Sequence, residues 1–284
     1  MIEFKQLSHT SDTEILDCFN EAFSDYFIPF RFNLQQLKTK LQSESINKEI
    51  SVGAFRNNRL IGLILHGERQ LGNHKTAYNA CTGVIPKERG QALTKRMYHY
   101  IMPVLETKKI NEVVLEVISN NLPAITSYKK IGFKTTRRLH CFKGELITKE
   151  LNKEIKIQTA GQIDFKVLTG FGEIQPTWQN AAATIVNLGE AIIYLLAYKG
   201  THLCGYCMLN SQNNRILQIA VKKELRNKGI GSTLLHYIKN HISTAVSINN
   251  IDSSSEAALH FFESNNLSNF LTQEEMKLEI NHKI

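Results

Sequence analysis

The spacing of apolar and polar residues predicts strands over residues 2–7, 50–55, 60–66, 77–85 and 112–119, with the turn Arg56-Asn57-Asn58 joining the second and third into a hairpin. Helical spacing appears at Ile15, Leu16, Phe19 and Phe23, behind the helix-start residues Thr10-Ser11-Asp12-Thr13-Glu14, and predicts a helix that ends near Tyr26. A second helix is predicted over residues 34–41, and a third through Leu93, Met97, Ile101 and Leu105. A short helix starts at Asn121-Leu122-Pro123-Ala124, runs through Tyr128 and stops at Gly132, a natural cap; closing strands follow over residues 134–144.

Residues 145–154 are polar and charged without a period, which places a domain boundary between residues 147 and 148. Residues 155–166 read as one or two strands, and the stretch to Gln175 has no clear period. Pro176-Thr177-Trp178-Gln179-Asn180 then leads into a helical segment ending about Leu188. Strands are expected over residues 191–198, 203–209, 216–221 and 245–251. A helix with Ile230, Leu234, Ile238 and Ile242 on one face lies between the last two. Ser253-Ser254-Ser255-Glu256 opens a short helix through Phe262, and residues 270–280 alternate as a strand. The second half repeats the first: Val84 and Val221 correspond at an offset of 137 residues, whereas Ala124 and Tyr128 correspond to Ala258 and Phe262 at 134. A connection absorbs three residues easily, so the chain reads as a duplicated α/β unit with domains 1–147 and 148–284.

At 284 residues and 42% hydrophobic content, each half has enough apolar material for its own core. The net charge of +8 favours anionic partners, but Lys and Arg are dispersed and no basic-aromatic run marks a nucleic-acid surface. The five cysteines, Cys18, Cys81, Cys141, Cys204 and Cys207, are odd in number and lack a framework spacing, which fits a reducing compartment, by default the cytoplasm. Cys204 and Cys207 form a C-x-x-C, yet three residues apart on a strand they are expected on opposite faces, against redox or zinc use. The N-terminus has acids and no apolar core, and no apolar run is long enough for a bilayer, so a soluble protein without a membrane partner is expected.

Arg226-Asn227-Lys228-Gly229-Ile230-Gly231 follows the strand ending in Ile219-Ala220-Val221 and opens a helix. Two glycines there let backbone N–H groups converge at the positive end of a helix, an arrangement suited to pyrophosphate. The same spacing also serves an ordinary strand-to-helix turn.

In this arrangement each half resembles the GNAT fold, the acetyl-CoA-dependent N-acetyltransferase superfamily, and the whole chain resembles its tandem-domain members. The resemblance implies an α/β (α+β) class with two tandem domains, each a mixed, mostly antiparallel twisted sheet flanked by helices. It also implies a splay between fourth and fifth strands that takes the pantetheine of CoA. The family's turn, Q/R-x-x-G-x-G/A, is matched by Arg226, Gly229 and Gly231; the first half has Arg89, Ala92 and Thr94, which puts close backbone approach to phosphate in doubt there, although Gly90 remains. The family's second signature, N-x-x-A-x-x-x-Y-x-x-x-G-F, is matched by Asn121, Ala124, Tyr128, Gly132 and Phe133. The second half has Ser255, Ala258, Phe262, Asn266 and Leu267.

The resemblance implies a cofactor site at Ile219, Val221, Arg226, Asn227, Lys228 and Gly229, continuing into Ile230, Gly231 and Ser232, for acetyl-CoA as co-substrate. Its first-half counterpart comprises Val84, Arg89, Gly90, Ala92, Thr94 and Asn121. Charge-assisted bonds at roughly 1.5–3 kcal/mol each make the second half the expected binder, whereas Tyr128, the implied acid for the departing thiolate, leaves the catalytic half open. Glu68, Glu116 and Asp252 are base candidates beside solvated-carboxylate readings, and Gln218 and Asn249 border the second cleft. His66, His74 and His99 have no metal-ligand spacing, so no metal site is expected and they read as ordinary polar positions. The expected activity is direct acyl transfer from acetyl-CoA to a small-molecule or peptide amine in a ternary complex. Two alternatives stand beside it: a CoA-binding regulatory protein, and an aminoacyl-tRNA-dependent transferase, which the glycine turn disfavours.

Overall fold

A computed structural model of the chain describes residues 1–26, 31–147, 151–172 and 175–280. They form two compact units, Met1–Thr136 with Glu274–Ile284, and Arg137–Gln273. In the first, strands β1 (Ile2–Gln6), β2 (Val52–Arg56), β3 (Arg59–Leu71) and β4 (His74–Val84) pair antiparallel in that order, and β5 (Glu112–Ile118) pairs parallel to β4. Helices α1 (Asp12–Ala22) and α2 (Leu34–Ser43) precede β2, α3 (Leu93–Thr107) connects β4 to β5, and α4 (Leu122–Ile131) follows β5. Strand β6 (Lys134–Glu145) leads to the second unit, with β7 (Ile155–Ala160), α5 (Ala182–Leu188), β8 (Ile192–Lys199), β9 (His202–Asn210) and β10 (Arg215–Val221). Helix α6 (Ile230–His241), β11 (Ala245–Asp252), α7 (Glu256–Ser264) and β12 (Ser268–Glu279) complete the order. In this unit β7, β8, β9 and β10 are antiparallel neighbours and β10 runs parallel to β11.

The division differs from a cut after residue 147. From Arg137 onward β6 groups with the second unit, where it pairs antiparallel with β11 and contributes Phe142 to that core. The C-terminal part of β12 groups with the first unit, whose core contains Met276, Leu278 and Ile280. Residues 148–150, in the polar stretch where the boundary was expected, lie outside the described residues.

Local chemistry explains the helix starts. Ser11 with Glu14 and Asn33 with Gln36 form reciprocal capping boxes at α1 and α2, and Asn121 caps α4 through the Ala124 N–H at 3.2 Å. Gly132 ends α4 in a left-handed conformation (φ 116°); in the second unit Asn266 takes that role after α7 (φ 66°), since Asn tolerates such a backbone better than most side chains. Cys204 departs from strict alternation. The β8–β9 register shifts beside it, so Cys204 and Cys207 both enter the same apolar cluster rather than opposite faces. No helix among the described residues is long and apolar enough to cross a membrane.

Candidate functional site

In the first unit, β4 and β5 pair only at Thr76↔Glu112, Ala77↔Val113 and Tyr78↔Val114. Beyond that point the strands carry no mutual register, leaving backbone edges for a ligand. The divergence starts at a bulge: β3 and β4 pair at Leu65↔Cys81 and then His66↔Asn79, which leaves Ala80 extra.

Tyr128 reaches this opening from α4. It is 8% exposed and packs edge-on against Phe133. Burial pushes its phenol pKa well up, opposed by hydrogen bonding from the Thr82 and Asn79 side chains. Both lie on the part of β4 that has left β5. Glu116, on β5, is half-buried as a residue but holds its carboxyl out of solvent; its Oε2 accepts the Tyr78 hydroxyl, and its Oε1 has no hydrogen-bond partner among the described residues. Burial, with minor repulsion from Glu275 and Glu44, raises its carboxyl to about 7 despite the Tyr78 bond. Glu68 and Asp252 differ from it. Burial raises both, but Lys75 and Asn47 at Glu68, and Ser254 and Arg137 at Asp252, outweigh it and leave each carboxylate below its ordinary range. Of the three base candidates, Glu116 alone is poised near neutrality. His66 is not an ordinary polar position: it is fully buried, with Nδ1 2.8 Å from the Ile50 carbonyl, and desolvation lowers its pKa to about 4.

The two strand-to-helix turns share a backbone despite their sequences. After a 3-10 turn, Gly90 (φ 81°) and Ala92 (φ 52°) are left-handed in the first unit; Asn227 (φ 60°) and Gly229 (φ 75°) take the same places in the second. The loss of glycine at residue 92 therefore leaves the turn's conformation in place, with the strain of a left-handed alanine. Neither α3 nor α6 has a side-chain N-cap, so their first N–H groups are left for an anion, unlike those of α1, α2 and α4. The arginines brace the turns: Arg89 Nε donates to Val84 O at 3.1 Å and Arg226 Nε to Val221 O at 3.3 Å. Arg89 also grips the Asp25 carboxylate through two bonds of 2.7 Å. Lys228 donates to Glu224 O at 3.2 Å, and its own carbonyl accepts from Asn152 Nδ2 at 2.7 Å. Gly231 has a packing reason: a Cβ there would lie 2.9 Å from the Phe261 ring, whereas the first unit has Thr94 and Ser127 at the matching places. Thr94 and Ser232 lie half-buried in the first turns of α3 and α6, and Ile230 is buried at the start of α6.

The second opening is bridged by its own chain. Strands β10 and β11 pair only at Arg215↔Ser247 and Ile216↔Ile248; Gln218, Ile219 and Val221 lie beyond. Asn180, 4% exposed, donates from Nδ2 to the Asn249 carbonyl at 2.7 Å, receives Gln218 Nε2 on its own carbonyl at 2.6 Å, and accepts Arg215 Nη2 at 2.7 Å. One residue thus ties together both diverging strands. Asn249 and Asn250 fill a bulge in β11 at the place where the first unit has Glu116, and Asn250, left-handed at φ 62°, reaches Thr177 Oγ1 at 3.3 Å. No periodicity signals this bridge; the run Asn249-Asn250, poor in strand propensity, is its trace in the sequence.

Sequence models of the acetyltransferase (GNAT) family match residues 14–133 and, as a GNAT domain, residues 190–266, together more than half of the chain. N-alpha-acetyltransferase 30 of Schizosaccharomyces pombe is 27% identical over 93 residues, 32% of this chain and 62% of that protein. The chain thus spans less than two thirds of that relative's length. Among solved structures, a tandem GNAT protein from the clavulanic acid biosynthesis pathway superposes with a TM-score of 0.72 at 12% identity, covering 100% of both chains. A GCN5-related N-acetyltransferase from Sphaerobacter thermophilus does so with a TM-score of 0.73 at 13% identity, covering 100% of this chain and 97% of that one. At such identities the likeness is one of fold. With an opening between parallel strands and an uncapped helix beside it in each half, and with the family matched twice along its length, this chain belongs to the GNAT acetyltransferase family as a tandem-domain member.

Proposed function

We propose that the protein is an acetyl-CoA-dependent N-acetyltransferase whose chemistry takes place in the first unit. The observation that carries this reading is the pairing, at one strand opening, of a buried phenol at Tyr128 with a buried carboxyl at Glu116 raised to about 7. Glu116 takes a proton from the acceptor ammonium, and the free amine attacks the thioester carbonyl. The C–N bond forms, the nitrogen gives up its second proton to solvent, and the C–S bond breaks with its electron pair on sulfur. Tyr128 O–H donates its proton to the leaving thiolate, and the tyrosinate recovers a proton through solvent as Glu116 releases one. Near-neutral basicity suits proton abstraction, and holding both partners in a ternary complex supplies much of the rate. The pyrophosphate rests on the N-terminus of α3, with Gly90 and Ala92 shaping the turn.

The second unit, in this reading, takes the phosphate end of CoA at Asn227–Ser232 without turning it over. The bridge by Asn180 and the phenylalanine at residue 262 support that assignment. The name of the S. pombe relative, an N-alpha-acetyltransferase, directs the choice of acceptor first to α-amines. The test is thiol release from acetyl-CoA with peptides bearing free N-termini, spermidine and free amino acids, beside calorimetry of acetyl-CoA with Gly90→Asp and Gly229→Asp. Amine-dependent thiol release, lost in Gly90→Asp and kept in Gly229→Asp, is expected. CoA binding without thiol release for any amine would favour a binding protein, and loss confined to Gly229→Asp would move catalysis to the second unit.

A further inference from the structure

The first unit keeps a chain of polar side chains inside an otherwise apolar core. Asn79 Nδ2 donates to Tyr98 Oη at 2.7 Å and to Thr82 Oγ1 at 2.8 Å, and the Thr82 hydroxyl lies 3.1 Å from Asn79 Oδ1. Tyr98 Oη is 3.5 Å from His66 Nε2, and His66 Nδ1 is 2.8 Å from the Ile50 carbonyl. A carbonyl only accepts, so Nδ1 carries the imidazole proton, Nε2 accepts, and Tyr98 donates to it. The Tyr98 oxygen then accepts from Asn79. The orientation of the Asn79 amide is thus fixed from a backbone carbonyl inward, through two rings that are both buried. Thr82 and the Asn79 amide interact with the Tyr128 hydroxyl in the sense that stabilises an ionised phenol.

The second unit provides an internal control, because the same frame there lacks the chain altogether. Its bulge falls at Leu217, the counterpart of Ala80: Ile216 pairs with Leu209, then Gln218 with Met208. This register aligns Leu209 with His66 and Ile216 with Asn79, while the turn and helix offsets align Ile219 with Thr82, Leu235 with Tyr98 and Phe262 with Tyr128. Leu209, Ile216, Leu235 and Phe262 are buried in one apolar cluster, with Ile219 packed against it. All five positions are polar-capable in one unit and apolar in the other. A buried polar network is a stringent arrangement in which every member needs its partners, and apolar replacement of all of them together is near neutral for folding. The fold therefore does not require the network, and its members are present where the phenol is present.

We infer that His66, Tyr98, Asn79 and Thr82 are positioning residues that hold and assist the Tyr128 hydroxyl as an acid, a role that rests on the reading of Tyr128 given above. Left to burial alone, a phenol is a poor proton donor. Thr82, whose one hydroxyl proton can turn from Asn79 Oδ1 to a phenolate beside it, lowers the cost of that ionisation.

Removing one member strands its partners, so a single change such as Asn79→Leu risks unfolding. The informative variant copies the second unit: His66→Leu, Asn79→Ile, Thr82→Ile and Tyr98→Leu together, with Tyr128 retained. Kinetics with acetyl-CoA and the best amine of the panel are compared with wild type, Tyr128→Phe, and the five-residue combination. The expected result is a loss of about 10²-fold or more in kcat, the scale of a general acid, with KM for acetyl-CoA unchanged and no further loss when Tyr128→Phe is added. A conservative Tyr98→Phe change, which removes only the hydroxyl anchoring Asn79, should lower kcat by a smaller factor with KM again unchanged. Full kcat in the folded four-residue variant, beside a damaged Tyr128→Phe, overturns the inference alone. Wild-type kcat in Tyr128→Phe overturns both it and the role of Tyr128. If the four-residue variant is unfolded by circular dichroism, Tyr98→Phe decides: unchanged kcat there refutes the positioning role.

Discussion

Where β4 leaves β5 in the first unit, Asn79 and Thr82 turn toward a tyrosine; where β10 leaves β11 in the second, Ile216 and Ile219 stand at the same places and the helix offers Phe262. A buried carboxyl at Glu116 in one opening is answered in the other by the bulge of Asn249 and Asn250, the latter tied to Thr177 and Gln273. The turns preceding α3 and α6 nevertheless keep the same pair of left-handed residues. Backbone frame and side-chain chemistry have separated within one chain: the frame persists in both units, and the pair of Tyr128 and Glu116 stands in one.

The sharpest way to break this contrast is at the carboxyl. Glu116→Gln should reduce kcat by about 10²-fold or more and abolish the acidic limb of the kcat/KM profile near pH 7, while Asn250→Ala should leave both unchanged. Stability should move the other way. The folded pKa of Glu116, about 7, lies above its ordinary value of 4.5, so the carboxyl does not oppose folding below about pH 4.5 and opposes it fully above about pH 7. Denaturation at pH 8 should find Glu116→Gln more stable by up to about 3 kcal/mol, with no gain at pH 4. A gain independent of pH would remove the buried-acid account.

Next in size is the buried imidazole. His66 has a folded pKa of about 4 against 6.5, so its contribution is complete above about pH 6.5 and lost as pH falls through 4, by about 3 kcal/mol. Leu209, at the matching position, does not titrate. Hydrogen exchange, corrected for intrinsic rate, should show that His66→Leu reduces the acid-induced loss of protection in α3 and leaves α6 unaffected.

The smallest effect concerns the turns. A left-handed alanine costs about 1–2 kcal/mol, part of which glycine returns through unfolded-state entropy, so Ala92→Gly should stabilise by at most about 1 kcal/mol. Gly229→Ala should destabilise by about that amount. Equal and null effects in chemical denaturation would mean that the two turns are not equivalent.

Much of this frame was legible in the sequence. The offset shared by Val84 and Val221 located both strand ends, and capping residues such as Ser11, Asn33 and Asn121 start helices where they stand. The exchange of closing strands was not legible, because β6 and the end of β12 have similar alternation and nothing local states which core receives Phe142 and which Met276. Ala92 was misleading as a glycine loss, since only backbone dihedrals reveal that it still turns left-handed. The polar chain was hidden for a related reason: His66, Asn79 and Tyr98 are far apart in sequence and interrupt apolar runs one at a time. Bulge register, which no composition records, brings the first two opposite each other.

The location of the chemistry is tested most directly by steady-state acetyl transfer with Tyr128→Phe, using wild type and Phe262→Tyr as references. Loss of about 10²-fold or more in kcat for Tyr128→Phe, with acetyl-CoA affinity retained and Phe262→Tyr indistinguishable from wild type, is the predicted result. Unchanged kcat in Tyr128→Phe together with a rise in Phe262→Tyr would contradict it and place the active opening in the second unit.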